Sequence, residues 1–302
     1  MRILLGLIAA TSLGACLPED AQSQSQDQRS WVGSSFVFNP GAEASGEPDM
    51  ANAYWLARMT QLSYGTLREL EEGLVRDGVD ANDVSVRIFE TETTAAFFIE
   101  HELADFVVIR GSDSFYDWIV NVSAQQCETA MGLAHCGYVD AHKELFEDTD
   151  LKTLLEEQSQ SGKPLYITGH SLGGALATMM TAAARQKSCR LPCEPTFTAL
   201  YTFGGPRVFA DVVAPDVFAD LGDVNTHVFR FANNRDPVVV LPSSDWGYLH
   251  LSPEGDEAAT IVHIGALGSK DYVGIGEQVP YDRNGAPIDN HRIESYRRGI
   301  YS

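Results

Sequence analysis

Along this chain the spacing of apolar residues switches repeatedly between a helical and a strand period. Apolar positions recur at helical spacing from Met50 to Tyr64 and again from Leu67 to Val75, which predicts two successive helices. Val84 to Ile88 and Thr94 to Ile99 alternate or run apolar like the strands of a hairpin, with Glu90 to Thr93 as the turn. Phe106 to Ile109 and Pro164 to Thr168 are short apolar runs that read as buried strands. Asp140 to Glu156 predicts one helix, and the Ala-, Met- and Thr-rich stretch Leu172 to Lys187 predicts another. Thr198 to Phe203 and Thr226 to Ala232 predict further strands, with a helix around Val217 to Leu221 between them and a last helix over Asp289 to Tyr301. Strands that alternate with helices beyond residue 100 predict an α/β fold with a mostly parallel sheet.

The 302 residues, 44% hydrophobic, suffice for one large domain, and nothing marks a boundary within residues 31–302. Ahead of it, Met1-Arg2 precedes an apolar stretch from Ile3 to Ala15. That stretch is too short to span a bilayer and carries its positive charge in front, so residues 1–15 read as a secretory signal. Leu13-Gly14-Ala15-Cys16 resembles the lipobox of bacterial lipoproteins. The resemblance implies cleavage before Cys16, a lipid on that cysteine and membrane attachment through it; the alternative is an ordinary signal peptide cut nearby. Residues 16–30, with their Gln/Ser/Asp run, then form a flexible tether. The expected location is the bacterial cell envelope, with Leu17 after the cysteine favouring the outer membrane; periplasmic or secreted protein is the alternative.

Five cysteines is an odd number, and setting Cys16 aside leaves Cys127, Cys136, Cys189 and Cys193. Disulfides persist outside the cytoplasm, and short local loops favour the pairs Cys127–Cys136 and Cys189–Cys193. A zinc site is the weaker idea, since no C-x-x-C occurs and His135 stands alone beside Cys136. The formal net charge of -21 repels nucleic acid and anionic headgroups, so membrane contact has to come from lipid or apolar surface.

The candidate chemistry lies in Gly169-His170-Ser171-Leu172-Gly173, a G-x-S-x-G nucleophile elbow with a strand before it and a helix after it. Such a turn lifts a serine hydroxyl clear of the backbone, where a histidine can take its proton. In this fold type the acid and then the histidine follow the serine. Asp236, before Pro237 and after the strand Thr226 to Ala232, is the best acid; on local evidence an ordinary turn aspartate is an equal reading. His291 is the best base, with His250 and His263 as rivals. His263, inside an apolar run, reads as structural, and His170 should point away from the serine hydroxyl. Two amides should form an oxyanion hole, that of Leu172 and that of Ser112 in the loop Arg110-Gly111-Ser112-Asp113. Phe115 to Val120 is unusually apolar for a loop and suits a lid or a permanently packed helix.

Together these motifs resemble the class 3 (fungal-type) lipase family. The resemblance is carried by Arg110-Gly111-Ser112, Asp117-Trp118, His135-Cys136-Gly137-Tyr138, Gly169 to Ala177, Tyr201 to Val208, Asn234-Arg235-Asp236-Pro237-Val238 with Leu241-Pro242, and Gly247-Tyr248-Leu249-His250. It spans roughly residues 50 to 301 and implies an α/β-hydrolase fold, with helices on both faces of the sheet, that cleaves carboxylic esters of lipids. It also implies Ser171 as nucleophile, Asp236 as acid, His291 as base, Ser112 and Leu172 as oxyanion donors, and Asp113 to about Val122 as lid. Two departures stand out: Gly205 and Phe209-Ala210 replace residues usual in the family, and Asn290 intervenes before the histidine. The implied activity is that of a triacylglycerol lipase, the alternatives being a phospholipase A1, a short-chain esterase or a non-catalytic envelope lipoprotein on a hydrolase fold. No cofactor is needed, the expected partner is a lipid ester or a lipid–water interface, and the chain is expected to be a monomer.

Overall fold

The computed structural model describes residues 35–112, 125–147, 149–184, 197–210, 216–217, 226–233, 236–241, 248–249, 261–263 and 291–300. The signal, the tether, Cys16, the lid segment from Asp113 to Val122, Cys189, Cys193, His250 and Asn290 lie outside them, as does most of the helix expected around Val217 to Leu221.

In chain order the described elements are α1 (Met50–Leu62), α2 (Leu67–Arg76), β1 (Val84–Glu90), β2 (Ala95–His101), β3 (Asp105–Ile109), β4 (Gln126–Thr129) and β5 (Gly132–His135). There follow α3 (Cys136–Glu147), α4 (Leu151–Ser159), β6 (Leu165–His170), α5 (Leu172–Ala183), β7 (Ala199–Phe203), β8 (Phe209–Ala210), β9 (His227–Ala232), β10 (Tyr248–Leu249), β11 (Ile261–His263) and α6 (Ile293–Ile300). Among the described residues the main sheet has the order β1-β2-β3-β6-β7-β9-β11. β1, β2 and β3 pair antiparallel. From β3 onward every pairing is parallel. The expected mostly parallel sheet is therefore present.

Helices cover both faces. Val107, Ile109, Leu165 and Ile167 point to one side, into a core shared with α3, α4 and α5. Phe106, Val108, Tyr166 and Tyr201 point to the other, against α1 and α6. A strand buried on both faces has no polar alternation, which is why β3 and β6 read as continuous apolar runs. Burying each large side chain contributes roughly 1.5–3 kcal/mol, so these two layers fix where the strand ends point.

The helix expected over residues 140–156 is instead two, α3 ending at Glu147 and α4 beginning at Leu151, with Thr149 and Asp150 outside both. Thr149 Oγ1 donates to the Leu145 carbonyl at 2.6 Å and accepts from Leu151 N at 3.2 Å, so it ends one helix and starts the next. Leu145, Leu151, Leu154 and Leu155 are all buried, so the apolar period runs on through a break in the backbone.

A second, smaller sheet of order β10-β8-β5-β4 was not legible from the pattern. The hairpin of β4 and β5 joins it through Ala134 opposite Phe209. The Cys127–Cys136 disulfide links β4 to the first residue of α3, the pairing that short loops favoured.

Candidate active site

Four chain segments meet at the carboxyl ends of the parallel strands. Arg110-Gly111-Ser112 follows β3, Ser171 follows β6, Gly204 follows β7, and Asn233 with Asp236 follows β9. The registers Ile109↔Gly169 and His170↔Phe203 align these ends, so the loops converge without any long reach.

Ser171 sits at φ 59°, ψ -126°, and among the described residues it is the one non-glycine with positive φ. That strained turn is held from both sides. A Cβ on Gly169 would lie 2.3 Å from the Gly173 backbone, and one on Gly111 would lie 3.2 Å from Ser171 Cβ. The turn therefore packs against the loop after β3 with no room for larger residues. Ser171 is buried, at 1% exposure, rather than standing open to solvent.

His291 Nε2 is 2.7 Å from Ser171 Oγ, and its Nδ1 is 2.7 Å from Asp236 Oδ2. Asp236 is completely buried. Its Oδ1 accepts from Val238 N at 2.9 Å, which caps the 3-10 turn Pro237–Val240, and its Oδ2 also accepts from the Tyr296 hydroxyl at 2.5 Å. With a carboxylate on Nδ1, that nitrogen carries the proton, and the Nε2 lone pair faces the serine. The same Asp236 carboxylate thus both caps a turn and holds the histidine.

His170 turns its ring away from the serine hydroxyl. Its Nδ1 meets Tyr64 Oη at 2.7 Å, and its Nε2 meets the backbone carbonyl of His291. Burial, first, and the neighbouring His291, second, push its pKa well below the usual histidine range, so it stays neutral. A neutral ring with Nε2–H donates to that carbonyl and accepts from Tyr64, which fixes His291 from behind. Leu172 opens α5 directly after Ser171, where the first amides of a helix lack intrahelical acceptors. Ser112 follows Gly111, the residue in contact with Ser171. His263 lies in β11, remote in sequence from the elbow and part of the main sheet. Tyr64, Gly204 and Tyr296 were not singled out in the sequence; an aromatic residue five positions after His291 carries no signal of where its hydroxyl goes. Among the described residues no group of three or more His, Cys, Asp or Glu is placed to hold a metal ion.

Residues 106–246 match the family described as Lipase (class 3). Secreted mono- and diacylglycerol lipase 1 of Fusarium solani is 33% identical over 151 residues, 49% of this chain and 42% of that protein. Secreted mono- and diacylglycerol lipase A of Penicillium cyclopium is 29% identical over 255 residues, 82% of this chain and 77% of that protein. The triacylglyceride lipase structure from Rhizomucor miehei aligns with a TM-score of 0.55 at 24% identity, over 67% of this chain and 77% of that one. The alignment thus spans less than half of the Fusarium protein and about three quarters of the other two. The fold is the α/β-hydrolase fold.

Proposed function

We propose that this chain is a serine hydrolase of the class 3 lipase type, which cleaves carboxylic esters of lipids through an acyl-enzyme. One observation carries the proposal: Ser171 Oγ, His291 and Asp236 form a continuous chain of two 2.7 Å hydrogen bonds at a strained elbow. The similarity of residues 106–246 to class 3 lipases, and to proteins named as mono- and diacylglycerol lipases, supports a lipid ester as substrate.

In the first step His291 Nε2 takes the Ser171 proton while Oγ attacks the ester carbonyl carbon. The carbonyl oxygen becomes an oxyanion beside the amides of Leu172 and Ser112. The carbon–oxygen bond to the alcohol then breaks, and His291 returns its proton to the leaving alkoxide. A water molecule repeats the sequence on the acyl-enzyme, giving its proton to His291 and releasing the fatty acid and free Ser171. Asp236 keeps the imidazole in one tautomer and stabilises the imidazolium formed at each attack.

The names of both relatives call them secreted, which supports export of this chain. The apolar stretch within residues 1–15, ending in the lipobox-like Leu13-Gly14-Ala15-Cys16, is what supports a signal there with Cys16 as the point of lipid attachment. Hydrolysis of mono-, di- and triacylglycerols over a series of acyl chain lengths, below and above their solubility limits, tests the proposal. It predicts release of fatty acid from at least one of these classes. An absence of hydrolysis from every one, by protein that is folded, would refute it.

A further inference from the structure

Tyr296 takes no part in the steps above, yet its hydroxyl touches the carboxylate on which they depend. It is fully buried, and its Oη donates to Asp236 Oδ2 at 2.5 Å. The same oxygen accepts from His291 Nδ1 at 2.7 Å, so one carboxylate oxygen holds two donors. Oη itself accepts from Asn233 N at 3.2 Å, which directs the hydroxyl proton toward the carboxylate. Gly204 makes the space: its φ is 59°, and a Cβ there would come within 2.9 Å of Oδ2 and 3.0 Å of Oη. Burial, and after it the charge of Asp236, raise the phenol pKa well above its ordinary value, so the hydroxyl keeps its proton.

We propose that Tyr296 is a positioning residue of this hydrolase: its hydroxyl fixes the Asp236 carboxylate and, by taking up part of its charge, lowers the basicity of His291. The proposal rests on reading Ser171, His291 and Asp236 as the catalytic groups. A carboxylate holds an imidazolium most strongly when its charge is undivided. A second donor on Oδ2 weakens that hold and keeps His291 neutral, hence able to accept a proton, down to a lower pH. Among the described residues, the other groups that face this pair are the neutral His170 ring, 4.6 Å from that of His291, with Tyr64 behind it, and Arg230 on β9. Arg230 is engaged with the carbonyls of Gly205 and Val239. Arg292 and Glu294 flank His291 on its own segment, and Glu294 Oε1 accepts from Gln61.

The test uses the full chain with Tyr296→Phe and, separately, with 3-fluorotyrosine at position 296, a stronger donor of nearly the same shape. Two quantities are read: the acid limb of the pH profile of kcat/KM, and the titration of His291 by NMR in a Ser171→Ala background, which needs no turnover. For Tyr296→Phe we expect kcat about tenfold lower with KM nearly unchanged, and both titrations moved up by roughly half a pH unit. Fluorotyrosine should move both titrations the opposite way with unfolding stability near that of the unmodified chain. If neither variant moves the titration of His291, Tyr296 only braces α6 and the proposal fails, whatever happens to kcat. Should Tyr296→Phe not fold, the fluorotyrosine shift decides alone. An NMR titration of His291 that moves as stated in a chain without ester hydrolysis would overturn the functional reading and leave this inference standing.

Discussion

Gly173 in the first turn of α5 lies directly against the end of β3, where a Cβ would come within 2.1 Å of the Ile109 carbonyl oxygen. This contact ties the nucleophile turn to the loop that begins at Arg110, so the position of Ser171 relative to Gly111 and Ser112 follows from backbone packing. Gly173→Ala should therefore either destabilise the fold by about 1–3 kcal/mol or push the turn off its site. A displacement of roughly 1 Å is enough for a hundredfold loss in turnover. Urea unfolding and ester hydrolysis measured on the same preparation check this; a variant with both properties unchanged would show that the contact is slack.

Replacing Ser171 or His291 by Ala should each lower ester turnover by on the order of a millionfold, since two members of one hydrogen-bonded set act as a unit. The double variant should then be scarcely worse than either single one. The same assay on His250→Ala separates the remaining sequence rival, which should lose far less. Additive losses from Ser171 and His291 would contradict the assignment of His291.

His142 is expected to make the fold sensitive to mild acid. It is buried beside the Phe146 ring, its Nε2 meets no hydrogen-bond partner among the described residues, and burial lowers its pKa to about 4. The unfolded chain, whose histidine titrates at the ordinary value near 6.5, binds a proton first as pH falls. The neutral side chain therefore contributes its full share of stability above about pH 6.5, and that share is lost progressively toward pH 4. Between about pH 7.5 and pH 5 this one group should cost about 2 kcal/mol. Urea unfolding at both pH values should show a smaller drop for His142→Leu than for the unchanged chain.

The Cys127–Cys136 bridge closes a loop with a sequence separation of 9 residues. Constraint of the unfolded chain by so short a loop contributes roughly 2–3 kcal/mol. Cys127→Ser with Cys136→Ser should lower the unfolding free energy by about that amount. An unaltered unfolding midpoint under reducing and oxidising conditions would contradict it.

How much of this could be read from the chain differs from element to element, for physical reasons. β3 and β6 were legible because strands buried on both faces leave an unbroken apolar signature, and the elbow because its turn demands glycine at fixed spacing. The break between α3 and α4 was not, because the leucines on either side keep their face while the Thr149 hydroxyl bonds to the backbone of both helices. The small sheet escaped because its strands are two to four residues long, too short to show a period. Asp236 and His291 could be placed in order along the chain, but their contact depends on where β9 ends and α6 begins in space. Tyr64 and Tyr296 stayed hidden because a tyrosine on a buried face looks like core until the partner of its hydroxyl is seen.

The central claim is that Ser171 is an activated nucleophile, and a fluorophosphonate probe followed by peptide mass spectrometry tests it most directly. The account predicts one covalent adduct, on Ser171, formed by the intact chain and lost in His291→Ala and in urea-unfolded protein. An intact, folded chain that forms no adduct, or forms it at another residue, would contradict the account.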